Sequence, residues 1–349
     1  MSLATGFMLV LLSGIMAGSA LSPIKFVRKY RFENYWLIFG LIGTAIIPWV
    51  LALSMTPHLS AAYAQVSWKG LLLPPAFALS WGIASMLGGL CVSRIGLSLS
   101  YALVIGIGAS AGSLVPLLYF SPQTLHTAAG RCILLGIAVM LGGLTLVTWA
   151  GQQKELQSVA GSKAADIRRS HDPVRDRSYA AWVLIAVLAG ILSAGLNFSF
   201  AFGRDVGIAA QREGASVTTA TYAVWALAML GGMIPNLVYP CVLCFRNASW
   251  NVFLASPGKD FILSILLGVL FMGSTVLYGL GAVRLGLLGT SVGWGIMQIT
   301  QIIVGNLSGV LTGEWKSAGT RPLRSMSAGV AVLVIASMVM AYGNYIQSK

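Results

Sequence analysis

Three side chains in one run of the chain are spaced so that they could meet a ligand together. Trp294, Gln298 and Gln301 stand at i, i+4 and i+7, which puts them on one face of a helix. A primary amide both donates and accepts hydrogen bonds, and an indole pairs an apolar face with a polar edge. Sugar recognition needs this chemistry: amides for the hydroxyls, and an aromatic face for the apolar side of the ring. The same residues would also serve as glue between helices, because an amide buried in lipid is costly unless paired. Asn197, with Ser199 close by, and Trp81 beside Gly82 are further candidates for sugar contacts. Tyr222 and Trp225 read rather as packing or interface aromatics.

A carrier driven by protons usually holds an acid at membrane depth. The nine acids are Glu33, Glu155, Asp166, Asp172, Asp176, Asp205, Glu213, Asp260 and Glu314, and none falls in the middle of an apolar run. The three histidines, His58, His126 and His171, lie between runs. Glu33, at the start of the second run, is the candidate for a protonatable group, if a conformational change buries it. An acid in a first helical turn is also what the helix dipole favours.

Two motifs suggest other chemistry. Gly289-Thr290-Ser291-Val292-Gly293 matches G-x-S-x-G, but a nucleophile elbow needs a strand–turn–helix context and a histidine partner. Cys241 and Cys244 form C-x-x-C, with no second pair or histidine nearby to complete a zinc site. No catalytic residue, metal or cofactor is expected, so the chain does not read as an enzyme.

The elements that must position these residues are membrane helices. The chain is 57% hydrophobic and 9% charged, with a mean hydropathy of +0.82, so lipid must replace water around much of it. Apolar runs long enough to span fall at roughly 3–24, 36–55, 70–93, 96–120, 132–150, 179–203, 217–244, 261–281, 285–311 and 325–346. The first of these has signal-like features but lacks a basic n-region, its charges following at Lys25, Arg28, Lys29 and Arg31, so it reads as a first membrane helix. Pro74, Pro75 and Pro116 are expected to kink the third and fourth helices.

The polar stretch 151–178 reads as an exposed linker between two halves, 1–150 and 179–349, of five helices each. Arg94-Ile95-Gly96-Leu97 opens one apolar run, and Arg284-Leu285-Gly286-Leu287 opens another 190 positions later. The same shift sets Tyr101, Gly108 and Ala111 against Ser291, Gln298 and Gln301. A weaker echo relates Gly14–Gly18 to Gly190–Gly195. An odd helix number per half makes the repeats inverted, the architecture of carriers that alternate access around a central site. Sixteen Lys and Arg residues lie in loops on the linker's side and six on the other, which puts the linker in the cytoplasm and both termini outside. The net charge of +13 is then topogenic, and no nucleic-acid partner is implied.

The stretch 25–49, KFVRKYRFENYWLIFGLIGTAIIPW, resembles the first loop and second helix of the bacterial L-rhamnose–proton symporter family. WGIASMLGGLCVSRIGLSLSYALVIGIG from Trp81, GRCILLGIAVMLGGLTLVTWAGQQKE from Gly130 and GEWKSAGTRP from Gly313 are similar to it in the same order and spacing. Helices 6 to 8 match less clearly, and helix 8 is Leu/Gly-rich where more polar and aromatic residues are expected. The resemblance implies a ten-helix member of the drug/metabolite transporter superfamily that imports L-rhamnose with a proton across the bacterial inner membrane.

The sequence therefore reads as an all-α integral membrane protein of ten transmembrane helices in two inverted five-helix repeats. Its partners are a small-molecule sugar, a proton and the lipid bilayer; the oligomeric state is left open. The alternatives are an exporter or carrier of another metabolite from the same superfamily, and a non-transporting membrane sensor or assembly subunit.

Overall fold

The computed structural model describes residues 3–160, 173–255, 258–316 and 318–349, and every regular element among them is helical. Helix α1 (Leu3–Ser19) runs into a 3-10 turn at Ser22–Phe26. Helices α2 (Phe32–Phe39) and α3 (Ile47–Met55) join through a π-helical stretch, Gly40–Ile46, into one apolar segment. Then follow α4 (Leu59–Ala64), α5 (Trp68–Ile95), α6 (Leu97–Phe120) and α7 (Ala128–Ala160). Helices α8 (Pro173–Ser193), α9 (Gly195–Ala201) and α10 (Arg204–Arg212) form a broken rod. The rest comprises α11 (Ala220–Arg246), α12 (Asn251–Ala255), α13 (Lys259–Leu285), α14 (Gly289–Leu311) and α15 (Thr320–Gln347).

Among the described residues, nine segments are long and apolar enough to cross a membrane. One of them, Lys259–Leu311, contains both α13 and α14. Side chains such as Leu53, Leu184 and Met338 are 69%, 69% and 64% exposed on the outside of the bundle, a surface that only lipid covers without cost. Gly96 (φ +86°) and Gly286 (φ +78°) separate α5 from α6 and α13 from α14. This left-handed backbone is open to glycine and strained for other residues, so each glycine ends one helix and lets the chain turn back.

The structure departs from the sequence reading at two places. The linker expected from Gly151 is helical as far as Ala160, and α8 begins at Pro173, leaving 161–172 outside the described residues. Gln152 to Gln157 are mostly good helix formers with no breaker among them, and Pro suits a helix's first turn. The expected sixth helix is interrupted at Ala194, where Gly195 lies so close to α5 that a Cβ would collide with Ser80 and the Phe77 carbonyl. Pro74, Pro75 and Pro116 sit inside α5 and α6 without breaking either helix.

The packing joins early elements to late ones. Helix α1 lies against α13 and α14, α5 against α8 and α11, α6 against α8 and α14, and α15 along α7. Ser13 and Ser274 cross-link α1 and α13, each hydroxyl donating to the other residue's carbonyl at 2.8 and 2.9 Å. In lipid, where apolar surface gives no drive for helices to associate, such bonds and close small-residue contacts hold the bundle.

Candidate substrate-binding cavity

A cavity of about 710 Å³ lies inside the bundle, within the range of roughly 300–1,000 Å³ usual for small-molecule sites. Its wall comes from the end of α1, the second half of α5, α2, the first turns of α6, the α8–α9 junction, Trp225 of α11, and the middle of α13 and α14. It thus reaches the face of the bundle where α7 ends. Contacts fix these faces. Lys25, Lys154 and Glu314 bring the ends of α1, α7 and α14 together. Asn344 donates to the Leu285 carbonyl at 3.3 Å, and Gly6 abuts Arg284. The start of α1 and the end of α15 therefore share the other face.

Trp294, Gln298 and Gln301 all line the cavity, as does Trp81. Trp294 is fixed: its indole N–H donates to the Gly108 carbonyl at 3.2 Å. Trp81 stacks on Phe271 with ring centroids 5.0 Å apart and planes at 9°. Neither glutamine side chain bonds to a described residue, so both amides keep their donors and acceptors for whatever fills the cavity.

Asn197 has a different place. It is fully buried and absent from the cavity wall. Its amide donates to the carbonyls of Gly112 at 2.7 Å and Thr290 at 2.9 Å, and its oxygen accepts from Tyr278. With its polar atoms engaged, it ties α9 to α6, α13 and α14. Glu33 is also off the cavity wall. It is already buried in this conformation, 3% exposed, and accepts from the Asn247 amide at 3.0 Å.

The floor of the cavity is aromatic. Trp225 stacks on Phe200, centroids 4.8 Å apart, and Tyr278 packs edge-on against Trp294 at 5.4 Å. The indole N–H of Trp225 is buried with no partner among the described residues, as is the hydroxyl of Ser100 in the side wall. From α13, Phe271, Ser274, Thr275 and Tyr278 face inward. Sequence reading passed over this helix as Leu/Gly-rich, although i, i+3, i+4 and i+7 spacing marks a single face. It also missed Asp260, which is buried and accepts from the backbone N–H groups of Arg28, Lys29 and Tyr30, at 2.7 Å for Lys29. Burial and that nearby carboxylate push the Tyr30 phenol up.

The arrangement can bind a small polyhydroxyl molecule between amides and aromatic faces. Ser291 of the G-x-S-x-G sequence lies buried within helix α14, so the motif is not a nucleophile elbow. The sequence pattern of the family described as L-rhamnose-proton symport protein (RhaT) matches residues 1–345. The L-rhamnose-proton symporter of Cronobacter sakazakii is 28% identical over 350 residues, covering 98% of each chain. Those of Salmonella paratyphi B and Salmonella newport are 27% identical over 341 residues, covering 95% of this chain and 96% of theirs. With a match running over nearly its whole length, the chain belongs to the L-rhamnose-proton symport protein family.

Proposed function

We propose that this chain imports L-rhamnose together with a proton across the bacterial inner membrane by alternating access. It is a carrier rather than an enzyme. The observation that carries the reading is the pair of amides, Gln298 and Gln301, without a hydrogen-bond partner among the described residues, in a cavity that also presents aromatic faces. The sugar's hydroxyls replace water on the amides, and its apolar face lies against Trp81 or Trp294. Asn197 acts at one remove, by holding α9 against the helices that carry the site.

The ten-helix, inverted-repeat architecture belongs to the same proposal. A single 53-residue helix would run to about 80 Å, far beyond a hydrocarbon core of about 30 Å, so α13 and α14 count as two passes. Gly96 and Gly286, 190 positions apart, turn the chain at matching points. The packing is paired in the same sense: α5 with α8 answers α13 with α1, and α6 with α8 answers α14 with α1. In this scheme residues 1–150 and 179–349 are the repeats and 151–178 the cytoplasmic linker. The sixteen-to-six distribution of Lys and Arg supports both termini in the periplasm, and the cavity then opens inward.

The test is uptake of labelled L-rhamnose by cells expressing the chain, with and without an uncoupler. Uptake that collapses with the uncoupler is expected. No uptake, with the protein confirmed in the membrane, would overturn the sugar assignment and point to another sugar or to export.

A further inference from the structure

The offset of 190 positions can be followed into the packing. Gly14 of α1 lies against the Met297 carbonyl of α14, and Gly190 of α8 lies against Ile107 of α6, 190 positions before Met297. Gly281 of α13 abuts the Gly6 carbonyl of α1, while Cys91, 190 positions earlier on α5, has its thiol 3.9 Å from the Trp182 carbonyl of α8. Gly6 and Trp182 stand 176 positions apart, as Gly14 and Gly190 do. Each contact recurs with the halves exchanged, as a two-fold axis between inverted halves would impose.

The place of that axis follows from two residues it exchanges. Trp81 and Phe271 are 190 positions apart, and their rings stack on each other, centroids 5.0 Å apart and planes at 9°. Two counterparts can touch only where the axis passes between them. Each ring also rests on a glycine of the opposite half: a Cβ at Gly43 would lie 3.3 Å from the Phe271 ring, and one at Gly232 would lie 3.3 Å from the Trp81 ring. One turn further on stand Ser85 and Thr275, again 190 apart, and all four side chains line the cavity. Ser85 donates to the Gly82 carbonyl at 2.7 Å and lies 3.3 Å from Asn236 Oδ1; Thr275 donates to the Phe271 carbonyl at 2.9 Å. With its proton engaged, each hydroxyl keeps its oxygen as an acceptor. Trp294 and Gln298, by contrast, have Val104 and Gly108 as counterparts, so their chemistry comes from one half only.

We infer that Trp81, Phe271, Ser85 and Thr275 form the sugar subsite that persists through the transport cycle, serving the outward-open and inward-open states alike. A carrier that alternates access holds one ligand from both sides in turn. When the halves exchange conformations, a side chain away from the axis passes from an open wall to a closed one, whereas a group on the axis keeps the same relation to both openings. These four are matched across the axis, ring with ring and hydroxyl with hydroxyl, so the exchange leaves the same chemistry in place. The rings take the C–H face and methyl group of a 6-deoxy sugar, and the two oxygens accept from its hydroxyls. Of Trp81 and Trp294, the first is then the platform and the second, bound to the Gly108 carbonyl, a strut of the wall.

This inference rests on the reading of the chain as an inverted-repeat sugar carrier, and its experiment tells the failures apart. The four native cysteines are replaced by alanine, and Ser85→Cys or Thr275→Cys is treated with a membrane-impermeant thiol reagent in right-side-out and inside-out vesicles. Both positions should be labelled from either face, and L-rhamnose at ten times its half-saturation should slow both reactions about tenfold. Labelling from one face alone would overturn the axial placement. Labelling from both faces that L-rhamnose leaves unslowed would count against the sugar reading instead. Lys154→Cys and Ser348→Cys should react from opposite faces, and reaction of both from one face would reject the inverted halves themselves. Phe271→Leu should raise half-saturation about three- to tenfold whichever face the sugar is offered to, and Phe271→Tyr, which keeps the ring, should restore it. A Phe271→Leu value unchanged at either face would also overturn the inference.

Discussion

The indole N–H of Trp294 donates to the main-chain carbonyl of Gly108 across 3.2 Å, tying α14 to α6 through the wall of the cavity. The indole can lie there because α6 carries glycine one turn further on: a Cβ at Gly112 would overlap the Trp294 ring. The Gly112 carbonyl is also an acceptor for Asn197. Gly112→Ala should therefore displace the indole and strain the Asn197 junction together. Overpacking of this kind costs about 1–3 kcal/mol. Thermal unfolding in detergent should show a lower midpoint, largely restored when Trp294 is replaced by Leu in the same chain. An unchanged midpoint in Gly112→Ala would mean that the two helices are not in fixed contact.

Gln298 and Asn197 carry the same functional group in opposite circumstances, which separates binding from stability. Gln298→Ala removes no protein hydrogen bond, so unfolding should be nearly unchanged while half-saturation for sugar rises about tenfold, the equivalent of one good hydrogen bond. Asn197→Ala strips the Gly112 carbonyl of its amide donor and removes the acceptor of Tyr278, whose hydroxyl keeps only the Thr290 carbonyl at 3.2 Å. At about 1–3 kcal/mol for each group left unsatisfied, it should fail to accumulate in the membrane or melt early. Normal uptake by Gln298→Ala would remove α14 from the site.

What could be read from the chain, and what could not, divides along the same line. Helical period placed Trp294, Gln298 and Gln301 on one face, and the repeated Arg-x-Gly-Leu marked Gly96 and Gly286 before their backbone was seen. Period says which residues share a face, but not what stands opposite. Asn197 and Gln298 are indistinguishable as amides in an apolar run. Only the carbonyls of Gly112 and Thr290, 85 and 93 positions away, show that one is satisfied and the other open. The same limit hid Asp260, whose partners are backbone N–H groups some 230 residues earlier. Mean hydropathy concealed the inward face of α13, because Phe271, Ser274, Thr275 and Tyr278 are diluted by the leucines that face lipid.

Trp225 offers a sharper test of the floor. Its ring is fully buried and stacked on Phe200, yet its N–H has no acceptor among the described residues. A buried donor without a partner is destabilising. Trp225→Phe keeps an aromatic floor and deletes that donor, so the unfolding midpoint should stay level or rise. If sugar supplies the missing acceptor, affinity should fall by up to about tenfold, again the worth of one hydrogen bond. A variant that is both less stable and unchanged in affinity would show that the indole serves packing alone.

The carboxylate of Asp260 gathers three consecutive backbone N–H groups, those of Arg28, Lys29 and Tyr30. The loop it holds leads directly into Phe32, Tyr35 and Trp36 at the mouth of the cavity. Hydrogen bonds to a charged acceptor contribute about 1.5–3 kcal/mol each, so the loop's order depends on this one side chain. Arg28, Lys29 and Arg31 are exposed there and would be cleavage sites for trypsin if the backbone could enter the protease. In wild type the backbone is pinned, and cleavage should be slow. Asp260→Ala should release it, giving rapid cutting between residues 28 and 32 while the helices stay protected. Transport should weaken with it, because the mouth aromatics lose their anchor. Equal digestion rates for the two proteins would show that α13 does not restrain the loop.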